Sequence, residues 1–240
     1  MPNIFLPWKE KETFLKAASA IPWANKIIES PPIEEYLIDQ FCIETEWKDN
    51  TSVNLSLVVG SIHPDYKEHS WLWLLKHGKR MRENLSLLFS NPQYYFTEDK
   101  KLPAMSYLDI NNKYYVFIDG NHRTCIAKFL FYLLNIESVL SGVETYRKVL
   151  DIEALKAWKH LGGPECRVLI SRKKIFREDG SGWMREYYEL RFTVFKGKRC
   201  YQNLSSKELI ELSQKRKRKR NFIAKVKTKI TKLFQSSSLL

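Results

Sequence analysis

The sequence predicts an α+β protein, and three observations carry that prediction. Apolar residues recur at helical spacing in several stretches, and shorter runs rich in Tyr, Val and Ile lie between them. Two of those runs flank Asn111-Asn112 and read as an antiparallel hairpin. Helices packed beside a small mixed sheet are therefore expected.

The elements follow in chain order. Residues 8–30 read as helix, with Phe14, Leu15, Ala18 and Ile21 in register and Pro22 interrupting before Trp23 to Ile28 resumes. Pro31-Pro32 ends this section, and Ile33 to Phe41 is a short helical candidate. Val53 to Gly60 alternates apolar and small polar residues and predicts a strand. Leu72, Leu75, Met81, Leu85 and Leu88 predict a helix over 71–89, with Gly78 its weak point and Asn91-Pro92 its stop. The hairpin has Met105 to Ile110 as one arm and Tyr114 to Ile118 as the other, and a helix follows Arg123 through Leu134. Asp151 to Leu161 reads as a helix with Asp151 as cap, closed by Gly162-Gly163-Pro164. Arg167 to Ser171 and Glu186 to Lys196 predict strands about an Asp179-Gly180-Ser181-Gly182 turn. Ser205-Ser206-Lys207-Glu208 is a capping-box pattern for a last helix starting near Ser206. Four segments are expected: 1–48 helical, 49–150 a ligand-binding domain, 151–211 a helix and hairpin extension, and 212–240 a basic amphipathic tail.

Composition narrows the class. The 240 residues are 44% hydrophobic and 13% aromatic, which argues for a packed body. No apolar run approaches the roughly 18 to 20 residues of a bilayer span, and the N-terminus lacks the basic start and apolar core of a secretory signal. Cys42, Cys125, Cys166 and Cys200 are scattered without a Cys-x-x-Cys pair, so reduced thiols in a cytoplasmic protein are expected. The formal charge is +13, and ten Lys or Arg between Lys215 and Lys232 leave about +3 for the first 211 residues.

The chemistry concentrates at Tyr114-Tyr115-Val116-Phe117-Ile118-Asp119-Gly120-Asn121-His122-Arg123-Thr124. An apolar strand enters a polar turn and leaves as a helix, a junction that aims backbone N–H groups and the helix dipole at one point suited to phosphate. Gly120 allows a tight turn, Arg123 offers bidentate contacts to phosphate, and His122 titrates near neutrality. The same residues are also ordinary loop chemistry. P-loop, G-x-G-x-x-G and G-x-S-x-G patterns are absent.

From about Leu102 to Leu134 the chain resembles the ParB/sulfiredoxin superfamily, on its apolar strand, its Gly120-Asn121-His122-Arg123 turn and its Ala-containing helix. With the upstream strand and helix the resemblance covers roughly residues 50 to 150. Sulfiredoxins place a reactive Cys where Asn121 stands, so sulfinic-acid reduction is not expected. Residues 151–211 carry no helix-turn-helix, so centromere binding is not expected either. The remaining likeness is to stand-alone members of the plasmid fertility-inhibition (Osa-like) type. It implies a ParB/sulfiredoxin-like fold, binding of ATP or another NTP with Mg2+, NTP hydrolysis, DNA cleavage, and a block on transfer of a competing plasmid. The loop of Fic-type AMP transferases overlaps the turn as well. Its base would fall at Tyr115 and its second Gly at His122, which removes that chemistry.

Within a nucleotide site, Gly120, Asn121, His122, Arg123 and Thr124 would contact the ligand, and His122, Arg123 and Asp119 would be catalytic. Asp119 is either a metal ligand or a helix cap, His122 an acid/base, a phosphate donor or a surface histidine, and Thr124 a helix residue with an incidental hydroxyl. Asp65 and Glu68 near His63 and His69, and Glu144, Tyr146 and Arg147, are further candidates for the same cleft. Lys215, Arg216, Lys217, Arg218, Lys219 and Arg220 form a polybasic run able to hold DNA phosphates, and within residues 221–234 Phe222, Ile223, Val226, Ile230, Leu233 and Phe234 fall near one helical face between lysines, which suits a helix at an anionic membrane surface. The expected protein is cytoplasmic, with the inner membrane face a second location. The alternatives are a DNA- or membrane-binding adaptor without catalysis, or a nucleotide-dependent kinase or transferase.

Overall fold

The computed structural model describes residues 6–164 and 166–218. Its elements are α1 (Lys11–Ser19), α2 (Glu35–Gln40), β1 (Cys42–Asn54), β2 (Val58–Ser61), α3 (Trp71–His77), α4 (Met81–Ser90), β3 (Ser106–Ile110), β4 (Lys113–Val116), α5 (Asn121–Leu133), β5 (Val139–Leu150), α6 (Ile152–Leu161), β6 (Cys166–Gly180), β7 (Trp183–Lys196) and β8 (Arg199–Leu204). A last helix, α7, occupies 206–218. The protein is mixed α+β. Its sheet is larger than the small one expected, with eight strands in the order β2-β4-β3-β5-β1-β7-β6 and β8 pairing with β7.

Two compact units share the chain. The first comprises Met1–Ile38, Glu44–Val149 and Phe176–Tyr187, and the second Asp39–Ile43, Leu150–Ile175 and Tyr188–Leu240. In the first, β3 and β4 form the expected antiparallel hairpin over Asn111-Asn112, both residues at positive φ. β2 lies parallel to β4 and β5 parallel to β3, so the hairpin sits inside the sheet. α1, α3, α4 and α5 pack together around Phe14, Trp71, Leu74, Leu85, Phe129 and Leu130, all buried. α5 is at the centre of this core, with eight of its thirteen residues buried. In the second unit, Phe41 contacts Trp158 and Phe192, and Asp151 caps α6 by accepting from the Ala154 N–H.

Three expectations need correction. The helix over 8–30 stops at Ser19, because the later segment pairs with other backbone: the Ile28 N–H donates to His69 O, the Glu29 N–H to Val59 O, and the Ser61 N–H to Glu29 O. The strand over 53–60 begins earlier, at Cys42, and is interrupted at Leu55–Leu57, where the Asn54 carboxamide accepts from the Ser56 N–H and tightens a 3-10 turn. The helix over 71–89 is two helices, since the chain leaves helical geometry at Gly78 and re-enters after Arg80. Ser205 and Glu208 make the expected capping box, the Glu208 carboxylate accepting from the Ser205 N–H at 2.8 Å. Among the described residues no helix is long and apolar enough to cross a membrane.

Candidate functional site

The Asp-Gly-Asn-His-Arg segment is the entry into α5, and the helix starts at Asn121, three residues earlier than expected. Gly120 caps it at φ +111°, and a Cβ there would meet Met105 Cβ and Cγ at 3.2 Å. Both facts require glycine. The first amides of the helix have no intrahelical acceptor, so the Asn121, His122 and Arg123 N–H groups and the positive dipole end share one direction. A cleft of about 360 Å3 lies against this end, lined by the polar Arg80, Asn84, Asn91, Asp119, His122 and Arg123 and by Leu87, Leu88, Tyr94, Tyr95, Leu102 and Pro103. Leu87 and Leu102 are 64% and 73% exposed and give the mouth an apolar rim.

The candidate residues part ways here. The Arg123 side chain is only 12% exposed, and its guanidinium donates to Tyr94 Oη at 2.7 Å, Pro103 O at 2.5 Å, Ala104 O at 3.4 Å and Asp119 Oδ2 at 3.1 Å. It ties the 103–104 loop to the helix as well as facing the cleft. Asp119 is not the cap residue; its carboxylate accepts from the Gly120 N–H at 2.6 Å and pairs with Arg123. Asn121 is buried and accepts from Ser61 Oγ at 2.6 Å, a latch from the end of β2 to the start of α5. Thr124 is fully buried and shares a 2.7 Å hydrogen bond with Tyr107 Oη, so its hydroxyl belongs to the core.

His122 faces the cleft and its Nε2 lies 3.4 Å from Tyr66 Oη. Burial holds its imidazole below the ordinary value, the Arg80 charge adds to this, and Asp119 opposes it. The Tyr66 ring stacks on His63 at 4.6 Å, so two histidines separated by 59 positions meet through one phenol. His63 Nδ1 accepts from the Asp65 N–H, and His69 stacks on Trp73 at 3.6 Å; Asp65 and Glu68 are exposed. Glu144 pairs with Lys100 and with Tyr146 Oη, and Arg147 lines a separate polar hollow with Glu46 and Asp109. None of these three lines the cleft at α5.

Sequence reasoning missed Arg80, Tyr66 and Tyr94. Arg80 follows the Gly78 helix break, is exposed, and makes no ion pair among the described residues. A basic residue just after a helix break was the available signal. Tyr94 sits in a 3-10 turn, Pro92–Tyr95, and nothing in its neighbours marks it. Cys125 is buried, donates to Trp71 O at 3.3 Å, and burial pushes its thiol upward, away from the thiolate. Of the polybasic run, Lys215 to Arg218 lie on α7, where Arg216 donates to Leu161 O and the other three are exposed. Lys219, Arg220 and the 221–234 segment lie outside the described residues.

The residues fit a nucleoside polyphosphate better than a stand-alone metal. Arg80 and the α5 N-terminus present positive charge, while leucines and tyrosines present an apolar wall. Asp119 is the only carboxylate lining the cleft among the described residues, and no group of three or more His, Cys, Asp or Glu is placed to hold a metal among them. Asp119, whose carboxylate accepts from the Gly120 N–H and pairs with Arg123, is the lining residue that could hold a cation beside a phosphate. A scan against protein-family models, a search of curated proteins and a search of solved structures found no match.

Proposed function

We propose that this is a ParB/sulfiredoxin-like nucleotide-binding protein that hydrolyses an NTP and binds, and on that reading cleaves, DNA. The observation that supports it is the cleft at the start of α5, where helix N–H groups, Arg80 and His122 meet an apolar wall large enough for a base and ribose. Polyphosphate would lie toward Arg80 and the helix end. His122, kept neutral near pH 7 by burial, would accept or donate a proton at the bound phosphate. The polybasic residues on α7 supply phosphate contacts for DNA. Inhibition of plasmid transfer is the physiological role this reading carries, and the cytoplasm, or the inner membrane face if residues 221–234 dock there, its location.

A second reading rests on Arg123. Most of its donors are engaged within the protein, which is what a structural corner in a non-catalytic adaptor requires. Purified protein with labelled ATP and, separately, supercoiled DNA, both with Mg2+, decides between them. Expected are ATP turnover and nicking, with Arg80→Ala weakening nucleotide binding at least tenfold while the melting temperature stays unchanged. Unchanged nucleotide and intact DNA would leave the adaptor. Phosphate moved onto another molecule would make the protein a kinase or transferase.

A further inference from the structure

A second cleft, of about 210 Å3, opens further along α5, lined by Trp23, Lys26, Leu55, Val58, Trp71, Lys128, Tyr132 and three neighbours. Lys128 belongs to the central helix yet its Nζ ends in this apolar wall. It donates to Leu55 O at 2.6 Å and Val58 O at 2.8 Å, and lies 5.5 Å from the Trp23 ring centroid and 5.0 Å from that of Trp71. Two N–H bonds are thereby fixed, and the remaining tetrahedral position on nitrogen holds either a third proton or a lone pair. No carboxylate is paired with it among the described residues; Lys26, at the same cleft, is half exposed and 3.9 Å from Glu29.

We propose that Lys128 is a nucleophilic amine site that takes small aldehydes bearing an aromatic body and an anionic group. Trp23 and the half-exposed Tyr132 offer aromatic surface for the ring, and Lys26 offers a partner for the anion. The lone pair of the neutral amine adds to the carbonyl carbon, the carbonyl oxygen takes up a proton, and the carbinolamine loses water to give an imine. The two amine hydrogens leave in that water. On protonation the imine N–H donates to one of the two carbonyls, and the other is released. Burial favours the neutral amine and draws its pKa down to about 8, with Cys125 opposing and Lys26 acting in the same direction as burial. At pH 7.5 this gives about two orders of magnitude more free amine than an exposed lysine has.

The test uses the whole chain, 4-carboxybenzaldehyde as probe, propanal as the uncharged control, and cyanoborohydride to reduce the imine to a stable secondary amine, followed by peptide mapping. Lys128 is expected to be labelled at least tenfold faster than the exposed lysines, with a midpoint near pH 8. Lys26→Ala should slow labelling by the charged aldehyde and leave propanal unaffected. Lys128→Arg keeps the charge and the carbonyl bonds and should abolish the adduct. Labelling that follows exposure, with Lys128 unmodified in the wild-type protein, would overturn the proposal even if the arginine variant failed to fold. The outcome is independent of nucleotide binding at the other cleft.

Discussion

At the residue scale the site turns on how each side chain divides its bonds. Arg123→Lys keeps the charge, but an ammonium cannot reach Tyr94, Pro103 and Asp119 together in one plane. The loss of charge-assisted bonds in a largely buried setting should cost about 1–3 kcal/mol, read as a fall in melting temperature without ligand. An unchanged melting temperature would make Arg123 a ligand-binding residue only. His122 supplies a pH dependence with a defined sign. Its folded-state pKa lies below the unfolded value near 6.5, so its contribution to stability is present above about pH 6.5 and is lost as pH falls through the lowered value. A bound phosphate pulls that pKa back up, so nucleotide affinity should rise as pH drops from 7.5 to 6. Calorimetry in buffers of different ionisation enthalpy should record proton uptake on binding, and His122→Gln should remove it.

At the element scale the geometry depends on a few points where backbone meets backbone. Gly120→Ala adds a Cβ at φ +111° against Met105 and should destabilise by about 1–3 kcal/mol, with loss of nucleotide binding, measured by denaturant unfolding and titration of the same sample. These elements were unequally legible in the sequence. The β3–β4 hairpin, α6 with its Asp151 cap and the Ser205 capping box could be read because their signals are local: paired asparagines, a single carboxylate, a four-residue box. Most of β1, with β5 and β8, was missed because few of their residues are buried; β1 buries only Cys42, Glu46 and Val53 along thirteen residues, so its strand character comes from its neighbours. The site was half legible. The α5 junction is local, whereas Arg80, Tyr66 and Tyr94 reach it through tertiary packing, and only tertiary packing shows that the side chains of Asn121 and Thr124 bond Ser61 and Tyr107.

At the scale of the whole molecule, charge divides between the two units. The first carries 19 Lys or Arg against 20 Asp or Glu, the second 21 against 7. On the proposed reading, salt-sensitive affinity for DNA is therefore expected of the second unit, and only in part of residues after 218. Leu209 and Ser213 are buried and Arg216 bonds Leu161, so a clean truncation begins at residue 219 and removes six basic residues. The slope of log affinity against log salt should then fall by up to about 5 and not vanish. Complete loss of binding would place the whole DNA contact beyond residue 218. The backbone bonds that lash residues 27–29 across β2 have a further effect. β2 ends the sheet, and an uncovered end strand offers its amides and carbonyls to any neighbouring chain. With Glu29 bonded to Val59 and Ser61, and no room for a side chain at Gly60, that template is closed by the protein's own N-terminal segment, which makes the segment a guard against aggregation as well as a part of the core.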